Sequence, residues 1–76
     1  MVAKANELRR FGERLRKHRI EQGWSQEALG ARAGIDRTHI GKLERGQSEP
    51  GLLAIARLAA ALGIRVAALV EGEAGD

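Results

Sequence analysis

Glycines divide this chain into short segments, and their spacing restricts the fold more than any other feature of the sequence. The segments between them are rich in alanine, leucine, arginine and glutamate, which favour helices, and β-branched residues never alternate with polar ones. The sequence therefore predicts an all-α fold with five helices, each ending at or near a glycine. The predicted helices cover residues 6–22, 25–33, 36–45, 52–62 and 66–71.

Polar residues stand where three of the predicted helices begin. Asn6, Ser25 and Asp36 are predicted N-caps, because a side-chain oxygen there can accept a hydrogen bond from a free N–H group of the first turn. Gly34 follows the second helix and is predicted to adopt the positive φ that a tight turn needs. These signals are local, so they predict helix ends without any knowledge of packing.

The length of the chain, 76 residues, suits one small domain, so residues 1–76 are predicted to form a single unit. Its ordered core is expected over about residues 6–71, with loose tails at 1–5 and 72–76. The chain contains no cysteine, one tryptophan and one phenylalanine. Aliphatic side chains and alanine must therefore form the core, without support from disulfides.

Several classes of protein are disfavoured by what the sequence lacks. No apolar run approaches the roughly 18 residues of a transmembrane helix, and the start of the sequence does not read as a signal peptide. We therefore expect a cytoplasmic protein with no membrane partner. His18 and His39 have no second ligand at metal spacing, so no metal or other cofactor is predicted. No small-molecule ligand is expected either.

The positive charge is concentrated in the first part of the chain. The whole sequence carries a net charge of +3. Residues 1–47 contain 11 basic and 6 acidic side chains, a net of +5, whereas residues 48–76 contain 2 basic and 4 acidic ones, a net of −2. This distribution favours a polyanionic partner for the first part only. Mild basicity is also common in small proteins, so charge alone leaves both interpretations open.

The second and third helices are joined by only about three residues, Gly34-Ile35-Asp36. So short a connection predicts a tightly turned helix pair rather than a long antiparallel hairpin. Gly30 is expected to let the third helix approach the second closely. The shared inner face of the pair is predicted to consist of Leu29, Ala33, Ile35, Ile40 and Leu43.

Motifs spread over roughly residues 8–70 have a specific spacing. They are Phe11-Gly-Glu-Arg-Leu-Arg, Arg19, Gly23-Trp-Ser-Gln-Glu, Leu29, Ala33-Gly-Ile, Ile40, Leu43-Glu-Arg-Gly and Pro50. In these motifs the chain resembles the Cro/CI-type (XRE-like) helix-turn-helix family of DNA-binding transcriptional regulators. The resemblance implies a compact lambda repressor-like domain with its helix-turn-helix at about residues 25–45.

One face of the third helix is basic and polar, and contains no acidic residue. In the resembling family, residues just after the N-cap of this helix contact base edges, which here implies Arg37 and Thr38, with Lys42 one turn later. A helix fits the major groove, where arginine can bind guanine in bidentate fashion. An ordinary solvated face is the alternative. Gly41 is expected at an exposed position, either for close approach to DNA or as a neutral replacement.

The start of the second helix and the end of the third are candidates for phosphate contacts. A helix N-terminus attracts anions because its unpaired N–H groups and its dipole act together. In the resembling family the position of Gln26 holds a phosphate, and ordinary capping by Ser25 is compatible with this. The remaining phosphate candidates are His39, Arg45, Gln47 and Ser48. Such contacts position a protein without specifying a sequence.

Arg19 lies on the apolar stripe of the first helix, and Glu44 lies at the inward edge of the third. The resemblance implies a partly buried ion pair between them, with a structural role. Trp24 is expected to pack against the second helix as part of the core, with exposed stacking as the less favoured alternative.

The fourth predicted helix is apolar almost all round, with Arg57 as its only charge. A chain of this size cannot enclose such a helix, so the fourth and fifth helices are predicted to form a homodimer interface. The predicted interface residues are Leu53, Arg57, Val66, Leu69 and Val70. Leu52 is expected on the inward stripe of the fourth helix. Alanine-rich surface with one exposed leucine is the alternative.

Three classes of function follow in order of support. The first is a sequence-specific regulator of transcription that binds double-stranded DNA as a homodimer on a near-palindromic operator. The second is an antitoxin-like interaction module that also regulates its own operon. An enzyme is least supported, because the sequence shows no nucleophile with a base, no glycine-rich loop after a strand and no convergent carboxylates.

Overall fold

The computed structural model describes residues 2–72, and over that range the chain forms five α-helices and no strand. They are α1 (Val2–Glu21), α2 (Gln26–Ala33), α3 (Arg37–Glu44), α4 (Leu52–Leu62) and α5 (Val66–Val70). Helix α3 packs against α1 and α2, α4 against α2 and α5, and α5 also against α1. The predicted all-α architecture is confirmed.

Helix α1 begins earlier than predicted. It starts at Val2, so residues 2–5 are helical and Asn6 lies inside the helix rather than at its N-cap. The Asn6 side chain instead accepts a hydrogen bond from Nη2 of Arg9 at 2.8 Å, a contact between neighbouring turns of one helix. Of the predicted tail at residues 72–76, residues 73–76 lie outside the described part of the chain.

The caps of α2 and α3 are confirmed. The Ser25 side chain accepts a hydrogen bond from the backbone N–H of Ala28 at 3.0 Å, and Asp36 accepts one from the N–H of Thr38 at 2.8 Å. Gly34 ends α2 with a φ of 71°, and its own N–H donates to the carbonyl of Gly30. These hydrogen bonds join residues that are close in sequence. The turn between α2 and α3 is therefore specified locally, without contacts from distant parts of the chain.

The core is mainly aliphatic and also contains Phe11, and all five helices contribute to it. The largest side chains without solvent exposure are Leu15, Leu29, Ile40, Leu43, Leu58 and Leu69. Ile35 and Trp24 are half-buried and pack against this cluster, so the predicted inner face of the helix pair is confirmed. Trp24 also lies under the guanidinium of Arg32, 4.3 Å from the ring centroid.

Two predictions about the fourth and fifth helices are wrong. Leu69, predicted at the outer interface, has no solvent exposure, because it is the position of the five-residue α5 that points into the core. Leu52, predicted to face inward, is 82% exposed, because it is the first residue of α4 and lies beyond the edge of the core. The inward stripe of α4 therefore consists of Leu58, Ala59 and Leu62, with Ile55 half-buried.

At two glycines, the backbone of a helix lies close to the backbone of a neighbouring segment, with no room for a side chain. A Cβ at Gly30 would collide with the carbonyl oxygen of Ile35, in the turn that follows α2. A Cβ at Gly12 of α1 would collide with the carbonyl oxygens of Leu43 and Glu44 at the end of α3. The close approach at Gly30 was predicted, whereas the role of Gly12 was not.

Polar contacts join α1 and the residue after it to the C-terminal ends of α5 and α4. Nη1 of Arg14 lies 3.4 Å from the carbonyl oxygens of both Leu69 and Val70, to which it donates at the C-terminal end of α5. Nε2 of Gln22 donates to the carbonyl of Leu62 at 3.3 Å, where α4 ends.

Among residues 2–72, no helix is both long enough and apolar enough to cross a membrane.

Candidate nucleic-acid interface

The outer face of α3 presents basic and polar side chains to solvent. Arg37, Thr38, Lys42 and Arg45 are exposed, whereas Ile40 and Leu43 of the same stretch are completely buried. This division follows from helical periodicity, because the two apolar residues lie on the face that packs against α1 and α2. The predicted base-reading side chains therefore lie together on one accessible surface.

Gly41 does not lie at the exposed position that the sequence predicts. It is buried, although its neighbours Thr38, Lys42 and Arg45 are exposed. The reason is that the side chains of Arg45 and Gln26 lie over it. The expectation of an exposed glycine in the middle of α3 is therefore wrong.

The start of α2 combines a capped backbone with an amide side chain. Ser25 caps the helix, and Gln26 is the first helical residue and half-buried. Nε2 of Gln26 donates a hydrogen bond to Oε1 of Glu44 at 3.1 Å. This bond fixes the amide of Gln26 between the N-terminus of α2 and the body of α3.

Arg19 and Glu44 form the predicted ion pair. Nε of Arg19 donates to Oε2 of Glu44 at 2.6 Å, and Nη2 donates to Oε1 at 3.0 Å, which is a bidentate arrangement. The Glu44 side chain is 3% exposed and that of Arg19 12% exposed. The hydrogen bonds to Glu44 raise the pKa of Arg19 and outweigh the burial that lowers it. Since Arg19 also donates to the carbonyl of Trp24 at 2.8 Å, this pair ties α1 to the start of α2 and the end of α3.

The segment after α3 carries the remaining phosphate candidates. Nε of Arg45 donates to Oε1 of Gln47 at 3.1 Å, and both side chains are exposed. Ser48 and His39 are half-buried. The structure thus brings Gln26, Arg45 and Gln47 together around one end of α3, and leaves His39 on the flank of that helix.

An ion pair in the same region was not predicted. Nζ of Lys4 lies 2.8 Å from Oε1 of Glu49, and both side chains are exposed. The hydrogen bond to Glu49 raises the pKa of Lys4. The pair links the start of α1 to the loop between α3 and α4. It could not be foreseen because residues 1–5 were expected to be a loose tail.

The predicted interface residues other than Leu69 are exposed on α4 and α5. Leu53 is 62% exposed, Val66 41% and Val70 43%, and Arg57 is also exposed. Leu52, also on α4, is a further exposed aliphatic residue. In the described part of the chain, no group of three or more potential ligands could hold a metal ion.

A turned helix pair whose second helix presents a basic outer face defines the helix-turn-helix class of protein. This chain belongs to the helix-turn-helix family of the XRE-like, Cro/CI type, since the family model for the helix-turn-helix matches residues 15–69. The resemblance noted in the sequence is thereby confirmed.

The proteins similar in sequence to this chain include a transcriptional regulator and a repressor. The chain is 40% identical over 62 residues to the SPbeta prophage-derived HTH-type transcriptional regulator YonR of Bacillus subtilis, covering 82% of this chain and 57% of YonR. It is 34% identical over 62 residues to the immunity repressor protein of Bacillus phage phi105, covering 82% of this chain and 43% of that protein. The chain thus spans about half the length of these curated relatives.

Solved structures share the fold over most of this chain. The restriction-modification controller protein C.AhdI from Aeromonas hydrophila is 44% identical, with a TM-score of 0.82 over 84% of this chain and 97% of that one. The P22 c2 repressor, solved in complex with a synthetic operator, is 32% identical, with a TM-score of 0.79 over 83% of this chain and 96% of that one. The predicted lambda repressor-like fold is therefore confirmed.

Proposed function

We propose that this chain is a sequence-specific, DNA-binding transcriptional regulator of the repressor type, acting in the cytoplasm as a homodimer. The observation that carries the proposal is the outer face of α3, where Arg37, Thr38 and Lys42 are exposed with no acidic residue of α3 among them. The one acid of α3, Glu44, is buried and paired with Arg19. A helix of this kind fits the major groove of double-stranded DNA.

The exposed side chains of α3 would each contact a base edge in the major groove. Arg37 would donate two hydrogen bonds to O6 and N7 of a guanine, and Thr38 would offer its hydroxyl to a base edge or its methyl to thymine. Lys42, one turn later, would reach an acceptor farther along the groove. Their exposure and their position after the Asp36 cap support these roles.

Phosphate contacts would hold α3 in the groove. The N-terminus of α2, with Ser25 and Gln26, would face one phosphate, because unpaired N–H groups and the helix dipole favour an anion there. Additional contacts would come from His39, Arg45, Gln47 and Ser48. The supporting observation is that Gln26, Arg45 and Gln47 lie around the same end of α3.

The homodimer would use the exposed apolar side chains of α4 and α5. Leu53, Val66 and Val70, together with Arg57, would pack against the same residues of a second copy related by a two-fold axis. Two α3 helices would then lie about 34 Å apart, one turn of DNA, on a near-palindromic operator. Leu69 is excluded from this interface, because it fills the core of its own chain.

Selection of binding sites from random DNA, followed by two matched variants, tests the proposal. Arg37→Ala should lose discrimination at one or two base positions, by about 1–3 kcal/mol, because it removes a base contact. Gln26→Ala should weaken binding to all sequences alike, because it removes a phosphate contact. Fluorescence anisotropy on the selected duplex and on random duplex, over a salt series, measures both effects.

The control is the wild-type chain, whose affinity should fall steeply as salt rises, because phosphate contacts release counterions. Recovery of no enriched sequence from the random pool would contradict sequence-specific binding. Equal effects of the two variants on selected and on random DNA would contradict the roles assigned to Arg37 and Gln26.

A further inference from the structure

Gly41 lies where two side chains of the phosphate-binding region meet. A Cβ at this position would stand 3.0 Å from Nη1 of Arg45 and 3.4 Å from Oε1 of Gln26. The second distance is close to ordinary van der Waals contact, whereas the first is tighter than most contacts of a real Cβ, so the end of the Arg45 side chain would have to shift by a few tenths of an ångström. The absence of a side chain at Gly41 therefore allows the guanidinium of Arg45 to lie against α3 beside Gln26.

Both of these side chains are held from a second side. Nε2 of Gln26 donates to Oε1 of the buried Glu44, and Nε of Arg45 donates to Oε1 of Gln47, each at 3.1 Å. The bond to Gln47 uses one of the five N–H donors of Arg45. The side-chain carbonyl oxygen of Gln26, from the start of α2, and the guanidinium of Arg45, from the end of α3, thus lie over a single residue.

We infer that Gly41 is a positioning residue that lets the guanidinium of Arg45 lie beside Gln26, where it binds a phosphate of the DNA backbone. It acts by leaving space, and it does not itself contact a base. A charge-assisted hydrogen bond from a guanidinium to a phosphate is strong when its geometry is fixed in advance. The inference rests on the proposed function, because the anion is supplied by bound DNA.

Replacing Gly41 by alanine should change stability and DNA affinity in opposite directions. Alanine is the better helix former, and glycine inside a helix is destabilising. The atom that the new Cβ would meet most closely is the far end of a flexible, exposed arginine, which can move away at little cost to the fold. The shift of Arg45 would at the same time weaken one cationic contact to the DNA.

The experiment is a double-mutant cycle of Gly41→Ala and Arg45→Ala, measured on a short duplex of random sequence, because phosphate contacts do not depend on sequence. In the wild-type background, Gly41→Ala should raise the Tm by roughly 2–8 °C. It should lower the affinity about tenfold. The slope of log affinity against log salt should become less steep by about one. In the Arg45→Ala background, Gly41→Ala should cause no further loss of affinity.

Every other result overturns the inference. If wild type binds DNA and Gly41→Ala binds with the same affinity and salt slope, Gly41 does not position Arg45, and the proposed function stands. If Gly41→Ala weakens binding equally in both backgrounds, the backbone at Gly41 approaches DNA directly. A lowered Tm would show that the Cβ meets something that cannot move. Failure of wild type to bind any duplex would remove the proposed function as well.

Discussion

At the scale of single residues, Glu44 connects the stability of the fold to its proposed DNA-binding surface. Its carboxylate accepts two hydrogen bonds from Arg19 and one from Gln26, so a single buried side chain links α1, α2 and α3. A buried charge is tolerated only when it is fully paired. The same carboxylate that Arg19 neutralises therefore also holds Gln26 at the start of α2.

Breaking the buried pair of Arg19 and Glu44 should lower the free energy of unfolding far more than breaking the exposed pair of Lys4 and Glu49. Glu44→Ala should lower the free energy of unfolding by about 3–5 kcal/mol, because it leaves Arg19 without its partner in a largely buried position. Glu49→Ala, which removes the exposed partner of Lys4, is the matched control and should change the free energy of unfolding little, because solvent screens an exposed pair. Urea denaturation measures both, and similar losses for the two variants would contradict a structural role for the buried pair.

At the scale of secondary-structure elements, the helix-turn-helix depends on backbone contacts that leave no room for a side chain. Gly30 in α2 faces the carbonyl of Ile35, and Gly12 in α1 faces the carbonyls that end α3. Rigid backbone atoms cannot move aside as the end of a flexible side chain can. The position of α3 relative to α1 and α2 is therefore fixed by glycines on both of its neighbours.

Gly30→Ala should destabilise the fold by about 1–3 kcal/mol, because the added methyl would collide with the Ile35 carbonyl and separate α2 from the turn. Gly51→Ala is the matched control: Gly51 has a φ of −78° and open space around its Cβ position. The control should lower the free energy of unfolding less than Gly30→Ala does, because its added Cβ meets no other atom. Thermal unfolding of both variants measures this difference, and equal stability of the two would show that α2 and α3 can separate freely.

Capping and turn residues predicted most of the helix ends, but not all of them. The caps at Ser25 and Asp36 and the turn at Gly34 are as predicted, because each depends on hydrogen bonds among residues close in sequence. The start of α1 was missed by four residues, because Asn6 carries a cap signal that the helix does not use. Gly12 could have been recognised as a packing position, because glycine destabilises a helix interior unless a close backbone contact compensates for it.

At the scale of the whole molecule, the proposed dimer follows from what α4 and α5 leave uncovered. Leu52, Leu53, Val66 and Val70 are between 41% and 82% exposed, although they are aliphatic. Dimerisation would remove part of this surface from water and would add stability to a chain with a small core. The net charge of −2 over residues 48–76 fits a pairing surface better than a DNA-binding one.

Leu53→Glu should shift the chain from dimer to monomer, because it would place a carboxylate in an apolar interface opposite its own copy. Ile20→Glu is the matched control, since Ile20 is a 50% exposed aliphatic residue on α1, outside the proposed interface. Sedimentation equilibrium at micromolar concentration measures the mass of each variant. A wild-type chain that is already monomeric there would contradict the dimer, and so would equal dissociation of the two variants.

The sequence by itself determined the helices, most of their ends, the turn of the helix pair and the basic face of α3. These depend on caps, glycines and periodicity, which act over a few residues and do not require knowledge of neighbours. Only the tertiary structure decided that Leu69 is buried, that Leu52 is exposed and that Gly41 lies beneath Arg45 and Gln26. The physical reason is that burial depends on which distant side chains cover a residue, and the sequence around that residue does not contain this information.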